Sequence, residues 1–141
     1  MSSASKNTVV KTCGLHHVTI KTRDLEASLR LYQEVMGMQL VAEFGPEERR
    51  VLLLDMGDGS HIELVAPTAD SQAVGSPAVN DPLVHLAIAT PDAAASLEPV
   101  RQAGYEVTME PKDVSLGNLE ATVAFFKGPN GEVIEFFQTR S

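Results

Sequence analysis

The sequence predicts an α+β fold that consists of two βαβββ modules. One pattern occurs twice: residues 17–24 and residues 85–92 each begin with a histidine and end with an aspartate seven positions later. A glycine follows each histidine at a similar interval, Gly37 by 20 positions and Gly104 by 19. Repetition at this scale indicates that one supersecondary unit is used twice.

The first module is predicted to begin with a strand, because polar and apolar residues alternate from Leu15 to Thr22. A helix follows, since Asp24 is a good N-cap and apolar residues recur at helical spacing as far as Gly37. That glycine favours the left-handed conformation that ends helices. Three short strands complete the module, near residues 39–44, 50–56 and 60–66.

The second module is predicted to repeat this order. A strand over residues 84–89 precedes a helix from about Asp92 to Ala103, and strands follow over residues 105–110, 121–127 and 132–138. Pro99 removes a helical hydrogen bond, so we expect a kink or an early break there. Residues 112–119 are expected to form a loop that the first module lacks.

These elements divide the 141 residues into four segments. We expect a flexible tail over residues 1–12, the first module over 13–66, a linker over 67–82 and the second module over 83–141. The linker is rich in Ala, Ser, Asp, Asn, Gly and Pro and has no sustained periodicity. With 43% hydrophobic residues, the chain is long enough to bury a core.

Charge and cysteine content exclude several classes of function. The formal net charge of −8 repels phosphate backbones and anionic membrane surfaces, so neither nucleic acid nor a membrane is an expected partner. Cys13 is the only cysteine, which excludes an intramolecular disulfide. The N-terminal residues are polar, and no apolar run of about 18 residues occurs. We therefore expect a cytoplasmic protein that acts on a small molecule.

Four repeated residues suggest a metal site. A glutamate follows each repeated histidine, Glu63 by 46 positions after His17 and Glu135 by 50 positions after His85. Each of the four strands also has an apolar face, so strand alternation places the four repeated side chains on the faces opposite the helices. The apolar residues are Val18 and Ile20, Ile62 and Leu64, Leu86 and Ile88, and Ile134 and Phe136. If the sheets share one cleft, the four converge on one divalent ion, Ni²⁺ or Zn²⁺ first, with Co²⁺ and Mn²⁺ as alternatives. A carboxylate among the ligands can shuttle a proton.

The remaining histidines and the cysteine are not repeated. His16 is expected to lie on the face opposite His17 and to be structural. His61 shares a face with Glu63, so it is predicted either to support the site or to stabilise the strand end. Cys13 is expected to be inert, because the sequence pairs it with no base.

From about residue 15 to residue 138 the chain resembles the vicinal oxygen chelate superfamily. The most similar stretches are residues 17–28, residues 31–38 and residues 128–135. That superfamily includes glyoxalase I, methylmalonyl-CoA epimerase, fosfomycin-resistance thiol transferases, extradiol dioxygenases and bleomycin-binding proteins. The resemblance implies paired βαβββ modules that form a cupped mixed sheet, and a metal site that is commonly completed across a homodimer.

Within that superfamily, the order His, Glu, His, Glu is similar to the metal site of glyoxalase I. The resemblance implies that Glu135 or Glu63 acts as the base that isomerises the hemithioacetal of methylglyoxal and a thiol through an enediolate. Lys21 and Phe137 are expected to contact the substrate. Bacterial glyoxalases hold glutathione with an arginine and an asparagine where this chain has Lys21 and Pro67, which leaves the identity of the thiol open.

Three other functions stay open from the sequence. An epimerase of the methylmalonyl-CoA type uses the same enolate chemistry but usually has glutamine at the position of Glu63. A thiol transferase or an iron dioxygenase needs only two histidines and one carboxylate. A metal-free binding protein of the bleomycin-resistance kind would use the cleft only to hold a ligand.

Overall fold

The computed structural model describes Val9, residues 15–67 and residues 83–140. Apart from Val9 and Pro67, the predicted tail and linker lie outside these residues, as does Cys13. Within the described residues, no helix is both long enough and apolar enough to cross a membrane.

The first module has the predicted βαβββ order. Its elements are β1 (His17–Lys21), α1 (Leu25–Leu29) with a π-helical continuation (Arg30–Val35), β2 (Gln39–Phe44), a 3₁₀ turn (Glu47–Arg49), β3 (Val51–Asp55) and β4 (His61–Val65). The strands form one sheet in the order β1-β4-β3-β2. Strand β1 runs parallel to β4, and the other neighbours are antiparallel. All four strands of the module therefore belong to one sheet, with β1 and β2, the strands before and after the helix, at its opposite edges.

Local hydrogen bonds explain where the first helix begins and ends. The Asp24 carboxylate accepts the backbone N–H groups of Glu26 and Ala27 at 3.1 and 3.3 Å, which confirms the predicted N-cap. The N–H of Met36 donates to the carbonyl of Leu31 at 2.9 Å, a five-residue step that belongs to a π-helix. Gly37 then takes φ +80°, so the predicted glycine stop is also confirmed.

The second module repeats the architecture. Its elements are β5 (Leu86–Ala89), α2 (Ala93–Gln102), β6 (Val107–Leu116), β7 (Leu119–Lys127) and β8 (Val133–Arg140). They form a second sheet in the order β5-β8-β7-β6, with β5 parallel to β8. The predicted α+β fold of two βαβββ modules is confirmed by this topology.

Of the kink or early break expected at Pro99, the break does not occur, because α2 continues through the proline to Gln102. Leu97 and Val100 on either side of it are buried in the core, and this packing holds the next turn in place. The carbonyl of Pro99 accepts the N–H of Ala103 at 3.0 Å. Tertiary burial therefore outweighs the local cost of the missing N–H.

The loop predicted over residues 112–119 is also wrong. Strands β6 and β7 extend through most of this segment as one long hairpin that turns at Gly117, where φ is +65°. Polar pairs join the strands on one face of the hairpin: Thr122 Oγ1 donates to Asp113 at 2.6 Å, and the Ser115 hydroxyl lies 2.8 Å from the Glu120 carboxylate. The other face of the hairpin is apolar, because Val114 pairs with Ala121 and Leu116 with Leu119. Cross-strand pairs on both faces therefore stabilise the two strands.

One hydrophobic core joins the two modules. Its fully buried side chains come from the helix-facing sides of both sheets and from the helices, and include Leu31, Leu64, Leu97, Phe126 and Ile134. The modules therefore pack through the faces that carry the helices.

A polar network crosses the junction beside this core. Tyr32 Oη donates to Glu132 at 2.8 Å, and Asn130 Nδ2 donates to Ser28 Oγ at 2.9 Å. The N–H of Arg23 donates to Asn130 Oδ1 at 2.7 Å. The loop before β8 is thus tied to the first helix by three hydrogen bonds, which fix how the second module sits on the first.

Candidate metal centre

The candidate ligands lie on the sheet faces that point away from the helices, which we call the open faces. On the first sheet, Val18 and Ile20 turn towards the core, while register pairs His17 with His61 and Thr19 with Glu63. On the second sheet, Ala87 pairs with Glu135. Paired residues on neighbouring strands point to the same face, so each open face carries one histidine and one glutamate.

We call each His–Glu pair a half-site, because it carries two of the four candidate ligands. The first half-site consists of His17 and Glu63. The distance from His17 Nε2 to Glu63 Oε2 is 3.9 Å. Thr19 Oγ1 donates a hydrogen bond of 2.9 Å to the other carboxylate oxygen, Glu63 Oε1. The opposite ring nitrogen of His17, Nδ1, lies 2.8 Å from His16 Nδ1. Both candidate ligands therefore have a second polar partner.

His16 does not point away from His17, so that prediction is wrong. Its ring lies edge-on to His17, with centroids 5.1 Å apart, and is tilted over His61 at 4.6 Å. The residue precedes β1, so the pleat of the strand does not fix its direction. His61 Nδ1 also lies 2.9 Å from the carbonyl of His16, and His61 Nε2 lies 3.9 Å from Asp55. His61 thus supports His16 at the edge of the half-site.

The second half-site consists of His85 and Glu135. The distance from His85 Nε2 to Glu135 Oε1 is 3.1 Å, and Glu135 is only 7% exposed. The ring of Phe125 meets the His85 ring edge-to-face with centroids 5.4 Å apart. The second half-site is therefore bordered by an aromatic ring, whereas the ligands of the first half-site contact polar side chains.

The four candidate ligands do not converge within one chain. Among the residues that the structure describes, no group of three or more His, Cys, Asp or Glu side chains is placed to hold a metal ion. The reason lies in the packing, because the two sheets share the core on their helix-facing sides and, among the described strands, no strand of one sheet pairs with a strand of the other. The condition for convergence, a cleft shared by the two open faces, is therefore not met within one chain, and the His17–Glu63 and His85–Glu135 pairs lie apart.

The donors of each half-site fit a divalent metal. Two ligands bound to one ion at about 2.1 Å and at a right angle are about 3 Å apart, and the His85–Glu135 pair is separated by 3.1 Å. The His17–Glu63 pair, at 3.9 Å, needs a small side-chain rotation to reach that separation. Imidazole nitrogens and carboxylate oxygens together suit borderline ions such as Ni²⁺ and Zn²⁺.

The two predicted substrate contacts lie on the open faces of different sheets. Lys21 is exposed at the end of β1, two residues beyond Thr19, and pairs with Val65. Phe137 follows Glu135 by two residues on β8 and pairs with Ala89. The structure therefore does not bring these two side chains to one half-site. Sequence reasoning missed Thr19 and Phe125, although both were identifiable as strand residues on the ligand-bearing faces.

The sequence of the chain matches a known protein superfamily over most of its length. A model of the Glyoxalase/Bleomycin resistance protein/Dioxygenase superfamily matches residues 14–136 of the chain. The chain belongs to this superfamily. The family predicted from the repeated motifs is thereby confirmed.

Several curated relatives carry the name lactoylglutathione lyase. The protein of that name from Haemophilus influenzae is 32% identical over 130 residues, which cover 89% of this chain and 92% of the relative. A probable lactoylglutathione lyase from Vibrio cholerae is 30% identical over 125 residues, covering 88% of this chain and 89% of the relative.

Solved structures show the same fold. A glyoxalase I mutant from Zea mays superposes with a TM-score of 0.70 at 23% identity, over 90% of this chain and 45% of the maize chain. TnmS3, an antibiotic-binding protein from Streptomyces sp. CB03234, superposes with a TM-score of 0.66 at 20% identity, over 95% of this chain and all of that one (100%). An enzyme and a binding protein thus share this architecture, and the residues of the site must distinguish between them.

Proposed function

We propose that this protein is a metal-dependent lyase of the glyoxalase I type, which isomerises the hemithioacetal of methylglyoxal and a thiol through an enediolate. One observation carries the proposal: each module presents a histidine facing a glutamate at the same repeat position on its open face. A protein that only sequesters a ligand has no need of two such pairs. The names of the relatives at about 30% identity support the same reaction.

A homodimer is proposed to complete the metal site. Each chain offers two half-sites, so a two-fold axis that joins the His17–Glu63 pair of one protomer to the His85–Glu135 pair of its partner generates two complete sites. The sheet edges support this assembly, because within the described strands β1 pairs only with β4 and β5 only with β8. Both half-sites lie next to an edge that a partner can approach.

The protein's own residues are assigned to holding the ion and moving the proton. His17 and His85 would hold the ion together with Glu63 and Glu135. A bound Ni²⁺ or Zn²⁺, or Co²⁺ or Mn²⁺ in their place, would polarise the substrate oxygens and stabilise the enediolate. One of the two glutamates removes the proton from C1 of the hemithioacetal and returns it to C2, so the carboxylate ends the cycle unchanged. Burial of Glu135 excludes water from its side of this transfer.

The thiol part of the substrate is proposed to be recognised by Lys21. Its ammonium group is exposed on the open face of the first sheet, where it can pair with a substrate carboxylate as a single point charge. Pro67, two residues beyond β4, offers no side-chain hydrogen bond. Phe137 on the second sheet offers an apolar surface instead. A thiol with one carboxylate and an apolar portion fits these contacts.

Metal content is the decisive test of the proposal. Protein loaded with Ni²⁺ or Zn²⁺ is analysed for bound ion per chain, together with Glu63→Gln and His85→Ala, one variant from each half-site. Glu43→Gln is the matched control, because Glu43 is an exposed carboxylate that pairs with Arg50 on the outer strand β2. We expect about one ion per chain in the unmodified protein and in the control, and a loss in both site variants.

The second measurement is the reaction itself. Formation of the thioester product is followed by ultraviolet absorbance with hemithioacetals made from glutathione and from other carboxylate-bearing thiols. Turnover that depends on the added ion supports the lyase. An unmodified protein that binds no metal refutes it and favours a ligand-binding protein of the bleomycin-resistance type. Metal binding without turnover of any hemithioacetal directs the assay to epimerase substrates.

A further inference from the structure

The two half-sites differ in what surrounds their ligands, although the modules that carry them are repeats. In the first, Thr19 Oγ1 donates to Glu63 at 2.9 Å and His16 Nδ1 lies 2.8 Å from His17 Nδ1. In each candidate ligand, therefore, one polar atom contacts a neighbouring residue and the other is free to bind an ion. Duplication of the module does not explain these contacts, because they come from residues outside the repeated set.

The second module has different residues at the corresponding positions. Val84 precedes His85 where His16 precedes His17, and Ala87 follows His85 by two positions where Thr19 follows His17. Ala87 pairs in register with Glu135 as Thr19 pairs with Glu63, so the positions are equivalent in space as well as in sequence. Alanine and valine have no side-chain group that can donate a hydrogen bond.

These contacts act on the direction of the ligand atoms. A histidine ligand is oriented by the hydrogen bond at its other ring nitrogen, and a carboxylate ligand by the donors to its free oxygen. His17 contacts His16 through Nδ1, so its other ring nitrogen, Nε2, points towards Glu63. Glu63 accepts the Thr19 hydroxyl at Oε1, so its other oxygen, Oε2, faces His17. The two atoms free to bind an ion are thus the two that face each other.

We infer that Thr19 and His16 are positioning residues for Glu63 and His17, which direct the donor atoms of this pair towards a shared metal ion. The inference rests on the proposed function and deepens it. The second half-site has no residue equivalent to Thr19 or His16. Its ligands are held instead by the contact of the Phe125 ring with His85 and by the burial of Glu135.

The test is the affinity for Co²⁺ of variants that copy the residues of the other module. Thr19→Ala and His16→Val introduce into the first half-site the residues that stand at the corresponding positions of the second, Ala87 and Val84. Thr19→Ser keeps the hydroxyl group. Thr122→Ala is the matched control, because Thr122 also donates from a strand to an exposed carboxylate, Asp113, but pairs with Gln138 on the opposite face. Affinity is measured by competition with a chelator, and the ligand-field absorption spectrum of bound Co²⁺ reports its coordination geometry.

We expect Thr19→Ala and His16→Val each to bind Co²⁺ about 10- to 100-fold more weakly and with a changed spectrum. Thr19→Ser and Thr122→Ala should bind as the unmodified protein does. Thermal unfolding of the metal-free proteins should be the same for Thr19→Ala and Thr122→Ala. If Thr19→Ala is less stable than the control, Thr19→Val, which keeps the shape of threonine, replaces it in the same measurement.

The outcomes separate this inference from the proposed function. Unaltered Co²⁺ affinity and spectrum in Thr19→Ala and in His16→Val refute the positioning role while leaving the metalloenzyme intact. An unmodified protein that does not bind Co²⁺ refutes both. Weaker binding that Thr19→Ser does not restore also refutes the role of the hydroxyl, since serine retains the donor.

Discussion

Removing the hydroxyl group of Tyr32 tests how the two modules are joined. Tyr32 is fully buried, and its Oη donates to Glu132 at 2.8 Å across the junction. Tyr32→Phe keeps the ring and its packing while it deletes this one hydrogen bond. Glu132 keeps the N–H and the side-chain amide of Asn130 as donors, so its carboxylate is not left without partners.

The expected cost follows from the charge of the acceptor. A hydrogen bond to a charged group contributes about 1.5 to 3 kcal/mol, and the remaining donors to Glu132 favour the lower half of that range. We expect Tyr32→Phe to lower the free energy of unfolding by about 2 kcal/mol. For a chain of this size, that loss corresponds to a Tm about 6 to 8 °C lower.

The same contact predicts a pH dependence. Burial, the charge of Glu132 and the hydrogen bond to it raise the pKa of Tyr32 well above its ordinary value of 10.0. The folded protein therefore retains this proton more tightly than the unfolded chain, so the contribution is complete below pH 10 and is lost as the pH rises towards the folded pKa. We expect stability to fall above about pH 10 in the unmodified protein and to fall less in Tyr32→Phe.

Urea unfolding followed by far-ultraviolet circular dichroism, at neutral and at alkaline pH, measures both effects. Tyr105→Phe is the control, because Tyr105 is the other of the two tyrosines and is only partly buried. Burial also raises the pKa of Tyr105, but without a hydrogen bond to Glu132 among the causes. A Tyr32→Phe protein as stable as the control, with the same alkaline decline, would show that the Tyr32–Glu132 bond does not hold the modules together.

Three further predictions address the helix, the loop before β8 and the metal. Asp92→Ala removes the carboxylate that accepts the Ala95 N–H at 3.0 Å, and we expect a loss of about 1 kcal/mol in urea unfolding. Gly128→Ala places a Cβ against the Glu132 carboxylate, so we expect it to displace that side chain, lower the Tm and abolish most of the additional effect of Tyr32→Phe in a double-mutant cycle. Prolonged chelation should remove lyase activity without changing the far-ultraviolet spectrum, and added Ni²⁺ should restore it; activity that persists without an ion contradicts the metal mechanism.

Most of the fold was predictable because it depends on local signals. The caps at Asp24 and Asp92 and the stop at Gly37 are each encoded by one residue, and strand alternation identified the buried face of every ligand-bearing strand. The two errors have different origins. Pro99 stays in a helix because its neighbours pack into the core, which a local pattern does not describe. Residues 112–119 stay extended because they pair in a hairpin that turns at Gly117.

The candidate site divides in the same way. Repetition and alternation identified the two His–Glu pairs, because each pair lies on neighbouring strands of one module. The relation between the pairs depends on how the modules pack, and that is set by the shared core and by contacts such as Tyr32–Glu132 and Asn130–Ser28. These contacts join positions about 100 residues apart in the chain, 100 and 102 respectively, so no repeat of the sequence points to them.

Repetition itself explains why the difference between the half-sites was not apparent in the sequence. A duplicated module supplies the same ligands twice, so a search for matching positions selects what the copies share and discards what separates them. Thr19 and Ala87 occupy the same place in the two copies, yet only threonine can donate to the carboxylate beside it. Two glutamates with equal positions in the repeat therefore differ in their chemistry: Glu63 is held by a hydroxyl, whereas Glu135 is buried beside His85 and Phe125. In a homodimer that joins one half-site of each kind, the residues that differ between the two copies would determine how each half-site contributes to binding the ion and to moving the proton.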